Sequence, residues 1–211
     1  MKCFAPGGKQ PLLGGTTSTN FNGANATVTL ATARTTMPTA NCFRGLKVGV
    51  GETVTLTPGT YYIGEAGADI QGTLNATGPG VTIVLTRIDT TKAVGTLKMT
   101  ASGVMNITAP QGATDYYKGI AVFQDRNAVD GVGINNMING NTASNIIGAV
   151  YFPKQELTYN GTGTSGFVCT RLVSRRVIFS GNTSVSNKIA KSADCPGLDY
   201  IGGGGRVRLV A

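Results

Sequence analysis

Short runs of alternating apolar and polar residues recur along the chain. Thr53-Val54-Thr55-Leu56, Thr60-Tyr61-Tyr62-Ile63, Val81 to Leu85, Thr96 to Met99 and Ile120 to Phe123 are the first five. Ala149 to Phe152, Val168 to Val173 and Val177-Ile178-Phe179 complete the series. Period-two alternation built from β-branched and aromatic residues predicts strands. No segment carries the i, i+3, i+4 spacing of an amphipathic helix. The first forty residues are rich in Gly, Thr, Asn and Pro and hold one alternating stretch, Ala26 to Leu30. Residues 1–45 are therefore read as a cap or irregular first coil, and 46–211 as the body of a single all-β domain.

Internal repetition turns this strand list into an architecture. Gly72-Thr-Leu-Asn-Ala-Thr-Gly-Pro-Gly-Val81 aligns with Gly95-Thr-Leu-Lys-Met-Thr-Ala-Ser-Gly-Val104. The Gly-x7-Gly frame recurs at Gly140 and Gly148, and Gly49, Gly119, Gly140, Gly161 and Gly181 extend a ladder of similar spacing. A period of about 22 residues holds three strands and three turns of ordinary length, and glycine turns corners without steric cost. The expectation is an open right-handed parallel β-helix, each coil stacked on the last. An antiparallel sandwich or jelly roll is the alternative.

Composition agrees with a strand-and-turn chain. The 211 residues include 31 glycines, and only 13% are charged. Valine, isoleucine and leucine run through the whole length, which argues against disorder. No run of 18 apolar residues is present, and Met1-Lys2-Cys3 leads into Pro6-Gly7-Gly8, unlike a signal peptide. Met1 is read as a cloning start or the first residue of a piece of a longer exported protein.

The four cysteines, Cys3, Cys42, Cys169 and Cys195, form no CxxC, and the chain has no histidine. Zinc and haem sites lack a ligand pattern, so no metal or cofactor is expected. Two disulfides and an oxidising compartment are the better reading. Of three pairings, Cys3–Cys42 with Cys169–Cys195 is favoured, because each ties one end of the chain to itself. The net charge of +8 is concentrated at the two ends. Anionic partners would meet those ends first.

Candidate chemistry is sparse. Asp125-Arg126, with Asp115, Asp130 and Glu156, is the most enzyme-like set, because converging carboxylates beside an arginine can hold Ca²⁺ and cleave polysaccharide. A salt bridge or turn cap explains the same residues more simply. Without histidine, serine–histidine and cysteine–histidine nucleophiles are excluded, and no catalytic residue is assigned. Arg171, Arg175, Arg176, Arg206 and Arg208 are the densest basic group, a possible contact patch for acidic polysaccharide or an anionic surface. No nucleic-acid module accompanies them. Tyr61-Tyr62, Tyr116-Tyr117 and Tyr151-Phe152 pose the question of a sugar-stacking face. Neighbouring strand residues point to opposite sides, so one of each strand pair belongs to the core. Asn-x-Ser/Thr at Asn25, Asn75, Asn106, Asn160 and Asn182 reads as a polar surface. Gly202 to Gly205 lacks the Lys-Ser/Thr of a phosphate loop.

Several stretches resemble the C-terminal region of the TadG-like proteins of tight-adherence (Tad/Flp) pilus assembly. They are Leu56-Thr-Pro-Gly-Thr-Tyr-Tyr62, Gly80-Val-Thr-Ile-Val-Leu85, Ile107-Thr-Ala-Pro110 and Gly119-Ile-Ala-Val-Phe-Gln-Asp-Arg126. Gly148-Ala-Val-Tyr-Phe-Pro153 and Arg206-Val-Arg-Leu-Val210 continue the series in order. The resemblance implies a non-enzymatic structural or adhesive envelope protein, extracytoplasmic, whose partners are pilus or envelope proteins and whose membrane attachment would run through an upstream segment. A carbohydrate-binding or lyase-type protein is the alternative.

Overall fold

The computed structural model describes residues 25–28, 42–87, 91–140, 143–161 and 169–180. Twelve strands and no helix lie among them. In chain order they are β1 (Asn25–Val28), β2 (Cys42–Val48), β3 (Thr53–Leu56), β4 (Gly59–Ile70), β5 (Thr73–Ala76) and β6 (Val81–Leu85). They continue as β7 (Leu97–Met99), β8 (Val104–Thr108), β9 (Ile120–Gln124), β10 (Gly131–Gly140), β11 (Asn145–Gly161) and β12 (Thr170–Ser180). The chain is all-β, as alternation and composition predict.

The expected open β-helix is not what forms. Strands β4, β6, β9, β11, β10 and β7 are joined in a ring, with β7 returning to β4, so six parallel strands close a barrel. Closure comes from the two long strands. Gly59 to Ile63 of β4 pair with β6, while Ala68 to Ile70 of the same strand pair with β7. Likewise β11 pairs with β9 through Ala149 to Tyr151 and with β10 through its second half. Glycines bend both strands at a change of neighbour: β4 between its β6 and β7 pairings, at Gly67, and β11 where it passes from β8 to β9, at Gly148. Gly67 has φ +69° and Gly148 has φ +134°. At either position a side chain is strained by the backbone, and a Cβ would strike the Thr96 carbonyl at Gly67 or the Ala109 methyl at Gly148.

The antiparallel sandwich or jelly roll is overturned too, because every strand pairing among the described residues is parallel. Nor does one period govern the ladders. Asn75 to Asn106 is a step of 31, Asn106 to Asn145 one of 39, and Asn139 to Asn160 one of 21. The aligned ten-residue blocks do not stack in the aligned register. Thr73 and Leu74 of the first lie opposite Val104 and Met105, whereas Leu97 of the second lies opposite Ala68.

A second ladder, β1-β3-β5-β8, joins the barrel through the start of β11. Its inward residues Val54, Leu56, Leu74, Met105 and Ile107 merge with Tyr61, Ile63, Ile83, Leu85, Val122, Val150 and Phe152 in one apolar core. Burying side chains of this kind contributes about 1.5–3 kcal/mol each. Polar groups inside are matched to one another. Asn136 accepts from the Leu97 N–H at 3.0 Å and donates to Gln155 Oε1 at 2.9 Å, which Gln124 also reaches at 2.7 Å. The amides satisfy backbone where strands turn, since an unpaired buried polar group is costly.

Most of the 1–45 cap, and Cys3, Cys195, Arg206, Arg208, Asn182 and Gly202 to Gly205, lie outside the described residues, as does the side chain of Cys42.

Candidate functional site

The alternation that fills the core also builds an outer aromatic row. On the inner side Tyr61, Ile83, Val122, Val150 and Leu172 occupy equivalent positions of β4, β6, β9, β11 and β12. One residue further along each strand, Tyr62, Val84, Phe123, Tyr151 and Val173 form the facing-out row. Tyr61 and Phe152 are fully buried in the core, while Tyr62 joins a separate cluster with Val84 and Tyr117, against which Ile120 and Phe123 pack. In both strand pairs, one aromatic is core and the other is outside.

The connection from β8 to β9 covers part of this row. It carries Tyr116 and Tyr117, held by a turn in which Asp115 Oδ2 accepts the Gly112 N–H at 2.8 Å. Tyr117 folds inward, hydrogen-bonded to the Tyr62 hydroxyl, with its ring 5.5 Å from Phe123. Burial pushes the Tyr62 and Tyr117 hydroxyls upward from their usual pKa, Tyr117 the more strongly. Tyr116 stays outside, 83% exposed, edge-on to Tyr117 at 4.9 Å.

Beside this pair opens a cavity of about 420 Å³, walled by Tyr116, Tyr117, Ile120 and Phe123 and by Asp125, Arg126 and Asn127 of the turn after β9. A second hollow of about 400 Å³ lies on the other flank of the two tyrosines, against Pro58, Thr60 and Pro110. Arg126 is exposed, its guanidinium carbon 5.9 Å from the centre of the Tyr151 ring, which in turn stacks on Phe123 at 5.3 Å. Stacking on an aromatic face holds the guanidinium while leaving its N–H edges free for a ligand. Among the described residues Arg126 makes no ion pair.

The sequence-predicted acidic set does not converge. Asp125 is buried, and its oxygens accept from Thr86 Oγ1 at 2.9 Å and from the Asn127 N–H and Nδ2 at 2.9 and 2.8 Å, a turn cap. Asp115 closes its own turn, Asp130 pairs with Arg175, and Glu156 pairs with Arg176 at 2.7 Å. No group of three potential metal ligands occurs among the described residues. The arginine group divides in the same way. Arg175 and Arg176 are already matched to carboxylates, and Arg171 projects from β12 in register with Ala149. Cys169 is disulfide-bonded, and Thr170 beside it hydrogen-bonds the Ile146 carbonyl.

Sequence reading paired Arg126 with Asp125 as a lyase-like or carbohydrate-binding region and did not connect it with Tyr116. Their meeting depends on a long connection folding back over the row, which leaves no local signal beyond exposed aromatic residues in a turn. Comparison of the chain with family models, with curated proteins and with solved structures finds no match.

Proposed function

We propose that this chain is a non-enzymatic structural or adhesive component of the bacterial cell envelope, facing the periplasm or the exterior and working with a Tad/Flp-type pilus. The observation that carries this reading is the groove itself. A stiff parallel barrel, filled by side chains, holds an open aromatic and cationic surface outward, an arrangement suited to contact rather than turnover. The disulfide at Cys169 fits an oxidising compartment. The ordered stretches similar to TadG-like proteins supply the pilus connection.

The test is genetic and chemical together. Deleting the gene should reduce surface attachment by the host cells while leaving general envelope integrity intact. Purified protein incubated with acidic polysaccharides should release no unsaturated uronate. Unimpaired attachment in the deletion strain, or eliminative cleavage by the pure protein, would overturn the proposal.

A further inference from the structure

We infer that the groove beside Tyr116 is a binding site for an acidic saccharide, an inference resting on the adhesive reading above. A sugar ring has an apolar C–H face and a polar rim, so it needs an aromatic surface beside fixed hydrogen-bonding groups. Tyr116 supplies a ring that is 83% exposed at the mouth of a cavity of about 420 Å³. Few large apolar side chains are left this exposed among the described residues, the others being Val50, Val129 and Phe179. Arg126 decides the charge of the occupant. It is the cation on the cavity wall, it lies against Tyr151, and no carboxylate among the described residues neutralises it.

The nearest acid does not compete for that role. Asp125 forms part of the wall, but both of its oxygens are engaged by Thr86 and Asn127. A uronate carboxylate would therefore meet Arg126 in a charge-assisted contact, while the pyranose face rests on Tyr116. The positive excess of the chain lies toward its two ends and not in this stretch, so attraction at the groove rests on Arg126 itself and should weaken with added salt. A short loop segment of a partner protein fits less well, because the walls are aromatic rings beside one cation, and β9, the strand in the wall, is already paired on both sides.

The experiment titrates the whole chain with oligogalacturonate and with its neutral methyl ester of equal length, by calorimetry. The acid should bind and the ester should bind at least about tenfold more weakly, the loss of one charged contact. Tyr116→Ala and Arg126→Gln should each weaken acid binding about tenfold or more, with unchanged melting temperature. Arg171→Gln on β12 should leave binding as it was. Equal affinity for ester and acid, or a loss confined to Arg171→Gln, overturns the assignment. No binding of the acid also overturns it, and if the host still depends on the protein for attachment, the envelope reading stands without this site.

Discussion

At the scale of single residues, the buried amides and the outer tyrosines make opposite demands on substitution. Asn136 is fully buried and serves the Leu97 N–H and the Gln155 side chain together. Asn136→Leu keeps the branched shape but strands the Leu97 N–H, at about 1–3 kcal/mol for an unpaired buried group, while Gln155 Oε1 keeps its bond from Gln124. Chemical denaturation should show a loss of that order, larger than for leucine substitution of an exposed asparagine. The Tyr62–Tyr117 pair should govern alkaline behaviour. Burial raises both hydroxyls from 10.0, so the unfolded chain gives up these protons first. Their stabilising contribution is complete below about pH 10 and falls as the pH climbs past it. Thermal melts above that pH should decline steeply for the wild type and less so for Tyr117→Phe.

At the scale of elements, adjacent positions on one strand have unlike consequences. Phe152 is fully buried in the core, whereas Tyr151 is part of the outer row. Phe152→Ala should cost about 3–5 kcal/mol and Tyr151→Ala markedly less, measured as urea midpoints at constant slope. That one of the two aromatics is core was legible in the sequence, because neighbouring strand residues face opposite sides; which one was not, since Val150, Tyr151 and Phe152 are all apolar. Strand positions were legible from alternation: Thr53–Leu56 and Val81–Leu85 are strands over the residues that alternate. The neighbours of each strand were not. Similarity between Gly72–Val81 and Gly95–Val104 reflects shared turn chemistry and strand composition, not stacking in the aligned register, since Thr73 pairs with Val104 at the far end of the second block. The bends are tighter tests of that point. Gly67→Val places a branched side chain at φ +69° against the Thr96 backbone, which should cost at least about 1–3 kcal/mol and lower the melting temperature accordingly.

At the scale of the whole molecule, closure depended on two strands serving as members of more than one ladder. Nothing local encodes that choice, because β4 and β11 select partners 20 to 39 residues away along connections of unequal length. The candidate site was legible only in its parts. Asp125 drew attention by residue type, but its neighbour Asn127 and the distant Thr86 make it a cap, and the exposed arginine next to it is the residue with free capacity. The barrel strands have hydrogen-bonded neighbours on both sides, so their amides should be the slowest to exchange with deuterium, and those of β12, paired with β11 alone among the described strands, should exchange faster. Uniform exchange across β6, β9 and β12 would argue against a closed ring.

Unequal connections also separate what the molecule must keep from what it can vary. The segment bearing Tyr116 leaves the second ladder after β8 and enters the ring at β9, anchored by Ala109 in the core and by Tyr117 against Tyr62 and Val84. Residues added or exchanged along 111–116 would reshape one wall of the hollow while every barrel pairing stayed in register. Recognition could thus drift from one surface chemistry to another by loop replacement alone, on a frame that never needs to refold.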